Sequence, residues 1–187
     1  MAGYVPLESE RFTVESGLDG ETIRIKAQRQ IAALLFLPIW LTGWTVGGIA
    51  AITQLVHHFE PFLIFWLCGW ALGELFASGI LLWMLTGSET LRIVGQDLEV
   101  AHHALGFSRK WLYQGGLISH LMVVHQPAWP FRFYWPTPFF RNTKAGAIRF
   151  DYGARTQYVG AGLDDAEGRL IVERLARRLP SHATDAT

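Results

Sequence analysis

Glu74 is the residue of this chain whose type and setting come nearest to proton chemistry. It is the only charged side chain between Phe62 and Leu85, and the earlier apolar run from Ile31 to Val56 has none. A charge at the centre of a bilayer costs about 3 kcal/mol on insertion scales. Glu74 is therefore expected to be protonated or hydrogen-bonded, to the indole N–H of Trp44 or the hydroxyl of Thr45. A proton relay or quinone contact would need a second acid, a histidine or a lysine at the same depth, and neither apolar run supplies one. A polar clasp between helices, or to a partner, is the expectation. The other reactive groups form no pattern. His57 and His58 are adjacent and point apart on a helix. His102 and His103 read as a strand-end turn, and His120 and His125 stand five apart, so no set has metal-ligand spacing. Ser108 has no evident base, and the chain contains no nucleophile elbow, P-loop or dinucleotide fingerprint. Cys68 is the single cysteine, which excludes an internal disulfide and a cysteine-built metal site. No catalytic residue, metal or cofactor is expected, and the chain is read as a non-enzyme.

The elements that hold Glu74 carry a phrase written twice. Trp40-Leu41-Thr42-Gly43-Trp44-Thr45-Val46-Gly47 returns as Trp66-Leu67-Cys68-Gly69-Trp70-Ala71-Leu72-Gly73. Positions 40, 43, 44 and 47 fall on one helix face, as do 66, 69, 70 and 73. Glycines on such a face allow close backbone approach and tryptophans supply contact area, which matters in lipid, where no hydrophobic drive brings helices together. Trp40, Gly43, Trp44, Gly47, Trp66, Gly69, Trp70, Gly73 and Glu74 are the candidate residues for helix packing or partner docking.

A helix needs about 20 apolar residues to cross a hydrocarbon core of about 30 Å, and both runs meet that. Spans are expected over 31–56 and 62–86, joined by a short periplasmic loop, 57–61. The loop has no Lys or Arg, whereas Arg24, Lys26 and Arg29 precede the first span and Arg92, Arg109 and Lys110 follow the second. The positive-inside rule then places both termini in the cytoplasm. Residues 1–30 lack a signal-peptide pattern, so the first span is expected to act as an uncleaved anchor. Only 17% of residues are charged and the net charge is zero, which gives no basis for nucleic-acid binding.

After Gly87 the period changes from helix to strand. Strands are expected over Thr90–Val94, Leu98–Ala101, Phe107–Tyr113, Leu117–Val124, Ala147–Tyr152 and Thr156–Val159. Asp164-Asp165-Ala166-Glu167 reads as a capping box opening a helix to Leu179, with Leu170, Ile171, Leu175 and Leu179 on one face. Residues 181–187 are expected to be a disordered tail. Phe12–Glu15 and Thr22–Lys26 form an N-terminal hairpin that packs on or extends the later sheet.

The two W-L-x-G-W phrases, Glu89 to Tyr113, Ile148-Arg149-Phe150-Asp151-Tyr152-Gly153 and Gly162 to Glu167 with its helix together resemble small bacterial membrane proteins with two spans followed by a pleckstrin-homology-like (PH-like) domain. The resemblance implies an α+β membrane protein: a transmembrane hairpin, then a cytoplasmic PH-like antiparallel β-domain over 87–180 with a C-terminal amphipathic helix. It implies no enzymatic activity. PH domains that bind phosphoinositides use basic residues around the first strand turn. Here that turn is Val94-Gly95-Gln96-Asp97, without Lys or Arg. Arg109 and Lys110 can meet anionic headgroups, each for about 1 kcal/mol.

The segment 127–145 breaks the strand pattern. Trp129, Phe131, Phe133, Tyr134, Trp135, Phe139 and Phe140 crowd around Pro130, Pro136 and Pro138, with Arg132 and Arg141 among them. So many rings are not expected to stay in water. Insertion at the membrane interface, contact with a partner, and folding back to cap the domain are the readings, the first two taken forward.

The expected role is an accessory or scaffolding subunit of a larger bacterial inner-membrane complex, of respiratory or photosynthetic type, with integral membrane proteins and the lipid bilayer as partners. A stand-alone lipid-binding or envelope adaptor, and a component of a proton or solute pathway using Glu74, are the alternatives.

Overall fold

The computed structural model describes residues 11–17, 20–125 and 146–184, so the aromatic segment expected at 127–145 lies outside the described residues. The chain divides into two compact units, Arg29–Leu85 and the remainder.

The helical unit consists of α1 (Ile31–His57) and α2 (Pro61–Thr86). Each extends one residue into the expected loop, which shortens to 58–60. Pro61 suits the first helical position, where an N–H would lack a partner anyway. At the other end, His58 N–H donates to Gln54 O at 2.8 Å and closes α1. Pro38 lies inside α1, and the Thr42 hydroxyl donates to its carbonyl at 2.8 Å. At about 1.5 Å rise per residue, 27 and 26 residues are long enough to cross a bilayer, with a mean hydropathy of 1.6 in each.

The β unit holds two antiparallel sheets. The first contains β1 (Phe12–Gly17), β2 (Gly20–Lys26), β3 (Ser88–Val94), β4 (Asp97–Ala104) and β5 (Phe107–Tyr113), in that order across the sheet. The N-terminal hairpin extends the sheet through β2, with Lys26 opposite Ser88. The second contains β6 (Ile118–Val123), β7 (Ile148–Tyr152) and β8 (Arg155–Val159). Leu91, Leu98, Ile118, Ile148, Phe150 and Ile171 are fully buried and form the core between the sheets and α3 (Asp165–Ala176).

Three local expectations change. The strand expected from Leu117 begins one residue later, after a tight turn over Gly115–Leu117, and β6 is bulged between Ser119 and Met122. In α3 the buried stripe is Gly168, Ile171 and Leu175, three and four residues apart, whereas Leu170 is 41% exposed. The tail expected to be disordered makes a short turn at Ser181–Thr184. The reversal at Pro180 carries Ala183 into the core, where it is fully buried.

Glu89 is a buried carboxylate linking the two sheets. Gly160 N–H, just after β8, donates to Glu89 Oε2 at 2.7 Å, and His102 Nε2 lies 3.4 Å from Oε1. Glu89→Ala leaves a buried donor unpaired, which costs about 1–3 kcal/mol. Thermal unfolding should show a clear drop in melting temperature, and Glu89→Gln, which keeps an acceptor, a smaller one.

Candidate functional site

The second tryptophan of each repeat copy closes the hairpin. Trp44 Nε1 donates to Trp70 O at 3.4 Å, and Trp70 Nε1 donates to Trp44 O at 3.2 Å. The rings lie 8° from parallel with centroids 6.5 Å apart. Residues 44 and 70 occupy the same position in the two copies, so the exchange is two-fold in character: each copy gives the other its indole N–H and takes one in return. Trp40 packs on Trp44 at 4.5 Å between centroids.

The equivalence fails around Glu74. In repeat register Thr45 corresponds to Ala71, and Gly48 to Glu74. One side of the crossing is polar: Thr45 Oγ1 lies 2.8 Å from Glu74 Oε1 and equally 2.8 Å from Leu41 O. A hydroxyl carries one proton, so it can donate to only one of these two acceptors. Glu74 Oε2 is buried and has no hydrogen-bond partner among the described residues. On the other side, Gly48 receives the Trp70 ring; a Cβ built there would stand 2.1 Å from the ring's nearest carbon. Of the two partners expected for Glu74, the structure gives Thr45, while the Trp44 indole bonds to backbone.

The glycines divide into two sets. Close packing uses Gly48, outside the repeated phrase, and Gly73, whose Cβ would lie 3.6 Å from Trp44. Cβ atoms at Gly43, Gly47 and Gly69 would meet nothing within 4 Å among the described residues. Trp40, Gly43, Gly47 and Trp66, together with Ile39, Trp44 and Trp70, line an open groove of about 420 Å³ to which both helices contribute. A second groove of about 420 Å³ runs past Gly69 between Phe62, Phe65 and Trp66. Close approach is therefore of ring to glycine, and the glycine-to-glycine face stays open. Sequence reasoning missed Gly48; its only signal was that it follows Gly47 and aligns with Glu74.

In the β unit, three histidines pair with acids that sequence spacing did not connect: His102 with Glu89, His120 with Asp151, and His125 with Asp165. His102 and His103 lie within β4 rather than in a turn and take opposite faces, His103 Nε2 lying 3.1 Å from Thr90 Oγ1. No group of three or more His, Cys, Asp or Glu among the described residues is arranged to hold a metal ion. Asp164 Oδ1 accepts from Ala166 N and Glu167 N, each at 2.9 Å, and Asp164 N donates to Glu167 Oε2 at 3.0 Å, completing the capping box.

Asp151 also accepts from Thr156 Oγ1 at 2.7 Å. That hydrogen bond, together with the Arg149 guanidinium, holds its carboxyl below the usual range. Burial, with the positive charges of Arg24 and Lys110, lowers His103. Both pKa values are depressed in the folded chain, so both groups contribute stability above their unfolded values, and each contribution is lost as pH falls through its folded value. Unfolding of the β unit should become easier below neutrality as His103 is forced to charge, and again in the carboxylate range. Thr156→Val should weaken the second step, and NMR titration of the Asp151 carboxyl should show its midpoint moving up.

Comparison with protein-family models, with curated proteins and with solved structures finds no match to this chain.

Proposed function

We propose that this chain is a non-catalytic accessory or scaffolding subunit of a larger bacterial inner-membrane complex. Its hairpin spans the membrane with both termini in the cytoplasm, and the β unit is a PH-like domain covering a cytoplasmic surface of the host. The observation that carries the reading is the split use of the repeat. Trp44 and Trp70 satisfy each other across the hairpin, while Cβ atoms at Gly43, Gly47 and Gly69 would meet nothing within 4 Å among the described residues, and Trp66 is 42% exposed beside them. Small residues beside rings are what helix packing in lipid uses, so this face suits a helix of another membrane protein.

Membrane insertion is supported by the helices' length and by their exposure: only 17% and 11% of their most apolar windows is buried, unlike core helices of a water-soluble protein. Two antiparallel sheets and a capped C-terminal helix support the PH-like reading. Glu74 is tied to Thr45 with no second acid, histidine or lysine in either apolar run, which supports the clasp over a conducting role. Purification in mild detergent followed by mass spectrometry tests the proposal: an integral membrane protein should accompany the chain in fixed ratio, and recovery of the chain as a solitary monomer would count against it.

A further inference from the structure

The first sheet buries one face and keeps the other polar. Phe12, Val14, Ile23, Ile25 and Leu91 are buried on the core side. Residues directly opposite in antiparallel strands share a face, as do residues two apart in one strand. Glu15 stands opposite Thr22, Arg24 opposite Thr90, and His103 opposite Ser88, two residues before Thr90. Glu15, Thr22, Arg24, Thr90 and His103 therefore share the face opposite the core. With the β4–β5 turn around Leu105 they line a cleft of about 320 Å³. Every residue lining it, Thr86 included, falls in the β unit.

The charges of this cleft are arranged unlike those beside it. On the same face Lys110 and Glu99 pair with each other at 3.5 Å. Arg24 and Glu15 make no ion pair and no side-chain hydrogen bond among the described residues. They are diagonal neighbours across β1 and β2, a relation that sets backbones about 7–8 Å apart. One cleft thus holds a cation and an anion, each without a counter-ion.

His103 is the third group. Its Nε2 lies 3.1 Å from Thr90 Oγ1. Burial above all, then the charges of Arg24, Lys110 and His102, lower its pKa, and Glu99 opposes them. The imidazole is therefore neutral near pH 7. An anion set against Arg24 would offset part of the repulsion, and a protonated imidazole donates from both nitrogens. Guanidinium, imidazole and hydroxyl together suit a phosphate. A simple anion would also meet the carboxylate of Glu15. A ligand with an ammonium group beyond its phosphate would turn that repulsion into a second ion pair.

We infer that this cleft binds a small amino-phosphate, a phosphate joined to an ammonium group by a short carbon chain. The phosphate sits on Arg24, His103 and Thr90, and the ammonium on Glu15. The cleft is of the size that small-molecule sites begin at, about 300 Å³. The inference is independent of whether the helices span a membrane.

The full chain in maltoside micelles tests it, with phosphoethanolamine as the probe. The readout is the His103 ring signal in NMR, assigned by its loss in His103→Gln. The shift should saturate, and the His103 titration midpoint should rise in the bound state. Inorganic phosphate and ethanolamine, each alone, should bind at least about tenfold more weakly. Arg24→Gln should abolish saturation by phosphoethanolamine and by phosphate. Glu15→Gln should weaken phosphoethanolamine several-fold and leave inorganic phosphate as tight or tighter. Both side chains are exposed, so neither variant should change thermal unfolding. Glycerophosphoethanolamine, the diester that a lipid headgroup presents, separates two sources of this chemistry. Binding as tight as that of phosphoethanolamine assigns the site to a headgroup, and weaker binding assigns it to a free phosphomonoester. No saturable His103 shift with either amino-phosphate would overturn the inference. Equal affinity for phosphate and phosphoethanolamine, or equal weakening of both by Glu15→Gln, would overturn it as well, because an anion alone would then account for the site.

Discussion

Gly48→Leu is expected to open the hairpin. A Cβ at this position would lie 2.1, 2.4 and 2.6 Å from three atoms of the Trp70 indole, so the ring must leave. It is held there by its own N–H on Trp44 O and by stacking on Trp44. Displacing it breaks the bond to Trp44 O, and making room for the leucine pushes α2 away from α1, which lengthens the reverse bond from the Trp44 indole to the Trp70 carbonyl. Overpacking a filled interface costs about 1–3 kcal/mol, and interhelical hydrogen bonds in membranes average about 0.6 kcal/mol each. The loss is therefore about 2–4 kcal/mol for a unit of two helices with little else between them. Energy transfer between dyes at the outer ends of α1 and α2 should fall, with a red shift of tryptophan emission as two indoles lose their partners. Trp70→Phe, which keeps a ring but removes one N–H, should give a smaller loss in the same measurements.

Gly47→Leu is expected to do the opposite: keep the hairpin and lose the partner. The two glycines are adjacent in the chain, yet a Cβ at Gly47 would meet nothing within 4 Å among the described residues. The added side chain fills the groove lined by Trp40, Gly43 and Trp66. A helix seated on that face would be pushed outward by the width of a leucine side chain, which removes the contact that small residues permit. Co-purification of the partner should drop at least about tenfold, corresponding to about 1.4 kcal/mol, while the energy-transfer signal of the hairpin stays at its wild-type value. The contrast between neighbouring glycines is what distinguishes an outward docking face from an internal seam. Gly73→Leu, whose Cβ would face Trp44, should resemble Gly48→Leu in direction and be milder.

The sequence made the architecture legible and the use of the repeat only partly so. Two long apolar runs and the alternation after Gly87 are one-dimensional signals, and α1, α2 and the strands follow them to within a few residues. The capping box at Asp164 was equally readable, because its two partners are three residues apart. What the chain could not display is azimuth across the hairpin. Residues 40, 43, 44 and 47 share a face, but which part of it meets the other helix depends on the crossing, and the crossing put Gly48 inside and Gly47 outside. The bonds from Glu89 to Gly160 and from His120 to Asp151 were hidden for a similar reason: they join residues brought together only when the strands pair and pack. Ala183 was misjudged because a polar, short tail reads as unstructured, whereas one small apolar side chain after Pro180 was enough to dock it.

The central claim is that the outward tryptophan–glycine face is occupied by another membrane protein. A photoreactive benzoylphenylalanine substituted for Trp66, which is 42% exposed beside the groove, tests this in native membranes. Illumination should yield one discrete cross-linked product containing an integral membrane protein, and that product should disappear when Gly47→Leu is added. Adducts to lipid alone, with the hairpin intact, would contradict the claim.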